Sequence, residues 1–114
     1  MTQHNDTIRL RHMLDYSRKA IDMVKERERA DLTADEMLSL ALTRAIEIIG
    51  EAAARVTPEY QKNHPLIPWA QIIGLRNRLI HGYDAVDPDI LWNIIENDLP
   101  PLIEQLAIDI EQKQ

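Results

Sequence analysis

Apolar residues recur along this chain at spacings of three, four and seven, which is the pattern of helices that bury one face. The first such segment covers about residues 5–29, and its opposite face is charged. The second opens at Thr33, because Thr33-Ala34-Asp35-Glu36 has the form of a capping box, and continues to about Val56. Apolar positions cover more than one stripe of this second helix. They predict that it packs against the core on one side and against a partner on the other.

Prolines and glycines divide the rest of the chain. Thr57, which precedes a proline, is the expected N-cap of a short helical turn. A third helix is expected over residues 68–81, where Gly82 would end it as a C-terminal glycine. Asp87 would cap a fourth helix, which Pro100-Pro101 must kink or interrupt.

Together these segments predict an all-α fold, a four- to five-helix, up-down antiparallel bundle whose last helix is kinked at Pro100-Pro101. A length of 114 residues suffices for one core, so residues 1–114 are expected to form a single domain. Gly50 falls inside the second helix, where glycine costs about 1 kcal/mol relative to alanine. Its position there indicates that another backbone approaches closely.

Composition and charge exclude several kinds of site. A chain with a net charge of −6 cannot rely on its overall charge to bind nucleic acid, so such contact would need a local cationic site. The chain has no phosphate-binding loop, no cysteine and no Glu-x-x-His pair for a carboxylate-bridged metal centre, so we expect neither a metal nor a cofactor. Without a signal-peptide pattern or a long apolar run, we expect a cytoplasmic protein with no membrane contact.

One stretch differs from the acidic, Leu- and Ile-rich remainder, since residues 76–84 read RNRLIHGYD. It gathers Arg76, Asn77, Arg78, His81 and Tyr83 at the end of the third predicted helix. Asn77 and His81 are four positions apart, so a helix would bring them to one face around its last turn. Arginine binds phosphate oxygens, and histidine transfers protons to or from a 2′-hydroxyl and a leaving oxygen. These residue types therefore fit a phosphodiester.

The same residues, taken one at a time, also fit an ordinary helix end. Arg78 and His81 would complement the helix dipole, and Gly82 would form the cap. Residue chemistry alone leaves both interpretations open.

The arrangement Arg-x-x-x-x-His, with a polar residue directly after the arginine, resembles the signature of HEPN domains, which are small helical bundles. The longer form Arg-Asn-x-x-x-His-x-Tyr resembles the HepT-like branch of that family. The similarity covers nearly the whole chain: LTRAIEIIGEAA (residues 42–53) looks like the second-helix motif of that branch, IPWAQIIGLRNRLIHGYDAVD (67–87) like its active-site helix, and LWNIIENDLPPLIEQL (91–106) like its final, proline-interrupted helix.

This resemblance implies the toxin of a type VII-like bacterial toxin–antitoxin pair, a metal-independent ribonuclease that acts on tRNA or mRNA as a homodimer. Its partner would be an MntA-like nucleotidyltransferase antitoxin. By position, Arg76 and His81 would be the catalytic pair, Asn77 would orient them, and Arg78 would support the binding of RNA phosphate. Tyr83 would accept AMP groups from the partner, and this modification would silence the toxin.

Two other kinds of function stay open from the sequence. HEPN relatives also serve as partners of nucleotidyltransferases, so the chain could bind nucleotide or protein without cutting RNA. An acidic composition suits a protein whose main contact is another protein. A purely structural bundle is the third interpretation, and it would leave the cluster at residues 76–84 unexplained. Growth arrest on expression without the partner gene would separate the toxin from the binding protein.

Overall fold

The computed structural model of this chain describes the backbone of residues 2–81 and 85–112, and the side chains of these residues other than 2–4, 81, 85 and 112. Eight α-helices lie in these ranges: α1 (Thr2–Met23), α2 (Arg29–Ala34), α3 (Glu36–Arg55), α4 (Pro58–Asn63), α5 (Trp69–Ile73), α6 (Leu75–Leu79), α7 (Pro88–Asn93) and α8 (Leu99–Gln112). A π-helical segment (Ile94–Asp98) joins α7 to α8, and β1 (Ile80–His81) pairs antiparallel with β2 (Ala85–Val86). The predicted all-α bundle is confirmed.

The core lies where α1 packs along α3 on one side and along α8 on the other. Buried apolar side chains of all three helices form one continuous cluster, which includes Leu10, Leu42, Ile46, Ile49 and Leu106, each 0% exposed. These residues occupy the stripes with spacings of three, four and seven that the sequence shows. No helix within residues 2–81 and 85–112 is long and apolar enough to cross a membrane.

Two predicted helix boundaries in the first half of the chain are wrong. The first helix ends at Met23 instead of near residue 29, and the turn that follows places Glu26 in the left-handed region at a φ of 61°. Thr33 lies inside α2 and does not open α3. The N-cap of α3 is Asp35, whose carboxylate accepts a hydrogen bond from the backbone N–H of Leu38 at 3.1 Å. Aspartate caps a helix as well as threonine does, so Asp35 takes the role that was expected of Thr33.

The predicted close approach at Gly50 is confirmed. A Cβ atom on this residue would lie 3.3 Å from the carbonyl oxygen of Ile72 and 3.5 Å from that of Ile73. The backbone of α5 therefore rests directly on α3, and any side chain at position 50 would require the two backbones to move slightly apart. Because α6 follows α5 after one residue, this contact also determines where α6 lies.

The final helical stretch begins at the predicted cap, and its α-helical geometry is interrupted just before Pro100-Pro101. Asp87 caps α7 by accepting hydrogen bonds from the backbone N–H groups of Asp89 at 2.9 Å and Ile90 at 3.2 Å. The interruption near Pro100-Pro101 takes the form of the π-helical segment, which ends where α8 begins at Leu99. Two consecutive prolines lack the N–H groups that would continue the α-helical ladder, so a wider turn precedes them.

Candidate active site

Arg76, Asn77 and Arg78 lie on α6, a helix of five residues that is fixed at both ends. Leu75 and Leu79 are 0% exposed, and because they are four positions apart they lie on one face of the helix. The three polar residues between them project from the remaining faces, and Arg76 and Asn77 are exposed to solvent. In the sequence Leu-Arg-Asn-Arg-Leu, the two terminal leucines are therefore buried, and the polar residues between them point away from the core.

The guanidinium of Arg76 is paired with a carboxylate of α3. Its Nε donates to Oε2 of Glu47 at 3.1 Å, and the Oε1 of Glu47 lies 3.5 Å from Nη1 of Arg44. Arg44 also lies 3.5 Å from Oε1 of Glu51, so it is shared between two carboxylates of its own helix. The side chain of Arg76 is 57% exposed, and that of Glu47 is 21% exposed. Such an exposed pair contributes about 0.2–1 kcal/mol, so another anion can compete with Glu47 for Arg76.

Arg78 contacts a different part of the fold. Its Nη2 donates to Oδ2 of Asp98 at 2.5 Å, and the other oxygen of Asp98 accepts from the Gln71 side-chain amide at 3.1 Å. Asp98 belongs to the π-helical segment, and its side chain is only 14% exposed. Arg78 therefore ties α6 to the final helical stretch. Its expected contact with RNA phosphate stays a prediction and would have to use N–H groups that Asp98 leaves available.

His81 does not lie on the helix that was expected over residues 68–81. That stretch forms α5 and α6, and α6 ends at Leu79 with Ile80 as an extended C-cap (φ −93°, ψ 122°). Ile80 and His81 instead pair with Val86 and Ala85, and the backbone N–H of Asp87 donates to the carbonyl of Leu79 at 3.2 Å. This pairing replaces the next helical turn, so the expected helical relation between Asn77 and His81 is wrong.

The described part of the site thus consists of Arg76 and Asn77 on α6 and the backbone of His81 on β1, directly after the C-cap of α6. The side chain of His81, together with Gly82 and Tyr83, lies outside the described residues. The expected roles of His81 and Tyr83 therefore stay predictions, whereas the expectation that Gly82 ends the helix is wrong, because α6 ends at Leu79. Among the residues whose side chains are described, no three His, Asp or Glu residues are grouped in a way that could hold a metal ion.

Sequence analysis did not identify Glu47 and Asp98 as parts of this site. Both carboxylates lie outside residues 76–84, the stretch whose residue types indicate the site. They are separated from their arginine partners by 29 and 20 residues. No local spacing rule connects residues so far apart, because these contacts arise only when α6 packs between α3 and the π-helical segment. Both carboxylates hold arginines of the motif and determine in which direction each guanidinium points.

A family model described as "Ribonuclease HepT-like" matches residues 13–107 of this chain. The match contains α6, β1 and β2, and it also contains Glu47 and Asp98. It thus covers every residue of the site, in agreement with the resemblance in the sequence.

Three relatives support the same match. The chain is 36% identical over 105 residues (92% of this chain and 93% of the relative) to a protein of Caldanaerobacter subterraneus subsp. tengcongensis whose name assigns it provisionally as an RNase. It is 36% identical over 88 residues (74% and 80%) to "Probable ribonuclease HepT" of Thermococcus cleftensis. It is 32% identical over 96 residues (84% and 88%) to another provisionally named RNase, from Methanocaldococcus jannaschii. No solved structure matches significantly.

Proposed function

Because this chain belongs to the HepT-like ribonuclease family, we propose that it is the toxin of a bacterial toxin–antitoxin pair and that it cleaves tRNA or mRNA without a metal. The observation that carries this proposal is the presentation of Arg76, exposed on α6 between two buried leucines, with His81 five positions later. Phosphodiester cleavage by proton transfer needs a cation and a titratable group in fixed positions, and a short, firmly packed segment supplies that support.

In the proposed reaction, the 2′-hydroxyl of the substrate attacks the adjacent phosphorus while the bond from phosphorus to the 5′-oxygen breaks, which leaves a 2′,3′-cyclic phosphate. A homodimer contains two copies of His81. One copy takes the proton of the attacking hydroxyl, and the other copy gives a proton to the leaving 5′-oxygen. Arg76 exchanges Glu47 for the phosphate oxygens and stabilises the charge that develops on them. Asn77, exposed beside it on α6, orients the substrate and the catalytic pair.

The proposed active form is a homodimer, which would bring two copies of Arg76 and His81 into one cleft. Two exposed apolar side chains on the first half of α3, Met37 and Leu40, support this proposal, because they are 81% and 63% exposed in the single chain. Apolar side chains exposed in this way indicate contact with another surface. A dimer also doubles the local positive charge of the site in a protein whose overall charge is negative.

The proposed partner is an MntA-like nucleotidyltransferase that adds AMP to Tyr83. An AMP group two positions from His81 would place a phosphate where RNA phosphate is expected to bind. Tyr83→Phe tests this step, and growth of cells that also express the partner gene is the measurement. We expect continued growth arrest, since phenylalanine offers no hydroxyl to modify. Full neutralisation of the variant by the partner would show that Tyr83 is not the switch.

The ribonuclease itself is tested with purified protein, total RNA and excess EDTA, comparing wild type with His81→Ala. We expect cleavage by the wild type and a rate lower by at least about 100-fold in the variant, because a positioned acid or base contributes that much or more. Equal melting temperatures would show that the substitution leaves the fold intact. If wild-type dimer free of modification leaves RNA uncut, a nucleotide- or protein-binding function without catalysis would replace the toxin.

A further inference from the structure

We propose that a groove between α1 and α3 binds a phosphate of the RNA backbone away from the bond that is cut; this inference rests on the proposed ribonuclease function. Six of the described residues line the groove, two from α1 and four from α3: Arg9, His12, Ile48, Glu51, Ala52 and Arg55. Its cavity volume is about 130 Å³, well below the roughly 300–1,000 Å³ of pockets that hold drug-sized molecules. The groove thus has room for one small group.

The cations of this groove lack the carboxylate partners that other arginines have. Arg9 is half-buried, and its Nε is buried without a hydrogen-bond acceptor. Within the described residues, neither Arg9 nor Arg55 forms an ion pair. A buried donor on a charged group is costly when it has no acceptor, so the groove favours a ligand that supplies acceptor oxygens.

Glu51, the acid among the described residues that line the groove, does not cancel this positive charge. Glu51 lies 3.5 Å from Nη1 of Arg44, so its negative charge is already shared with an arginine outside the groove. Arg9 and Arg55 therefore leave an excess of positive charge, and His12 adds a further hydrogen-bond donor or acceptor. Although the chain has a net charge of −6, this local excess of positive charge would attract a phosphate.

The groove and the candidate active site lie along the same helix. Glu47, which holds Arg76, and Arg55, which lines the groove, are separated by eight residues of α3, or about 12 Å along the helix axis. A single RNA strand that followed α3 from Arg76 would pass the groove. The second contact would therefore strengthen the binding of long RNA without taking part in the reaction.

RNA binding provides the main test, in the His81→Ala background so that no cleavage occurs. Arg9→Gln with Arg55→Gln is compared with Arg11→Gln with Arg18→Gln, a matched pair of exposed arginines on α1. At about 0.1 M salt, we expect the groove pair to raise the Kd for an RNA of about 12 nucleotides roughly tenfold. It should also reduce the slope of log K against log salt by about 0.7–1, the change expected when one phosphate contact is lost. Equal losses in the two double variants would overturn the proposal.

Cleavage kinetics supply a second readout in protein that retains His81. The groove pair should raise KM for long RNA and leave the cleavage of a dinucleotide unchanged, because a dinucleotide is too short to reach the groove. A large loss on the dinucleotide would show that the arginines act at the cut bond or support the fold, and would contradict a separate phosphate contact.

A third readout does not depend on catalysis. The NMR signal of the Arg9 Nε–H group is followed while inorganic phosphate, and separately RNA, is added to the wild-type protein. We expect a saturable shift with both. A shift with phosphate alone would overturn RNA as the ligand, and no shift with either would overturn the groove as an anion site. Failure of the proposed function would instead appear as wild-type protein that cleaves no RNA.

Discussion

At the residue scale, we expect the ion pair between Arg76 and Glu47 to compete with the binding of a phosphate to Arg76. Glu47→Gln removes the carboxylate that lies 3.1 Å from Arg76, and we expect the Kd for RNA to fall roughly threefold. The catalytic rate should fall as well, because Arg76 loses the acceptor that orients it. Binding is measured in the His81→Ala background, with Glu104→Gln, an exposed glutamate of α8, as the control of equal charge. Equal Kd values for the two variants would show that Glu47 does not compete with RNA.

We expect the ionisation of Tyr60 to lower the free energy of unfolding at high pH. Its ring is 5% exposed, and burial, together with the charges of Asp109 and Asp6, raises its pKa from 10.0 to about 12. Because the folded-state pKa exceeds the unfolded one, this stabilisation is fully present below pH 10 and is lost as the pH rises towards 12. Tyr60→Phe keeps the ring that stacks on His64 at 3.8 Å and removes the titration.

Unfolding by denaturant at a series of pH values measures this contribution of Tyr60. Between pH 10 and pH 12, we expect the free energy of unfolding of the wild type to fall by roughly 2 kcal/mol relative to Tyr60→Phe. Other tyrosines and lysines titrate in the same range in both proteins, so only the difference is assigned to Tyr60. If the two curves stay parallel, the phenol ionises with an ordinary pKa in the folded protein.

At the scale of elements, one buried carboxylate joins the start of α1 to the start of α4. Asp6 is 3% exposed and accepts from both the backbone N–H (2.9 Å) and the hydroxyl (2.7 Å) of Thr57, the N-cap of α4. Asp6→Ala leaves the N–H of Thr57 without this acceptor, so we expect a loss of about 2–3 kcal/mol in the free energy of unfolding. Thermal or denaturant unfolding measures it, with the exposed Asp15→Ala as the control. A loss no greater than that of the control would mean that water replaces the carboxylate.

Helix interiors could be predicted from the sequence because the spacing of apolar residues reports directly which side chains are buried. Helix ends were harder, since Thr33 and Asp35 are both good caps and only packing selects between them. The same holds at the site. The position of Arg76 on a helix followed from the pattern, but the path of the chain at His81 depends on pairing with residues 85–86, which helical periodicity does not report. Gly82 was interpreted as a helix end, whereas α6 ends three residues earlier.

At the scale of the whole molecule, negative charge and RNA binding are compatible only if the cations are concentrated. Several arginines of the described residues are tied to carboxylates, as in the pairs of Arg27 with Asp35 and of Arg29 with Asp89. Arg76 is exposed within its pair, and the arginines of the α1–α3 groove have no carboxylate partner within the described residues. We therefore expect a strand of RNA to bind along the outer face of α3, where these positive charges lie. The first half of the same helix carries two exposed apolar residues, Met37 and Leu40.

If the exposed apolar half of α3 forms the dimer interface, substitutions there should abolish both dimer formation and RNA cleavage. Met37→Glu with Leu40→Glu places two charges on the exposed apolar half of α3, and we expect a monomer by light scattering and at least a tenfold loss of RNA cleavage. Two other exposed apolar residues, Leu66 and Ile108 (77% and 42% exposed), provide the matched control when both are changed to glutamate. We expect that control to stay dimeric and active. If the α3 variant remains a dimer while the control dissociates, the interface lies beside α8, and the exposed residues of α3 serve another contact.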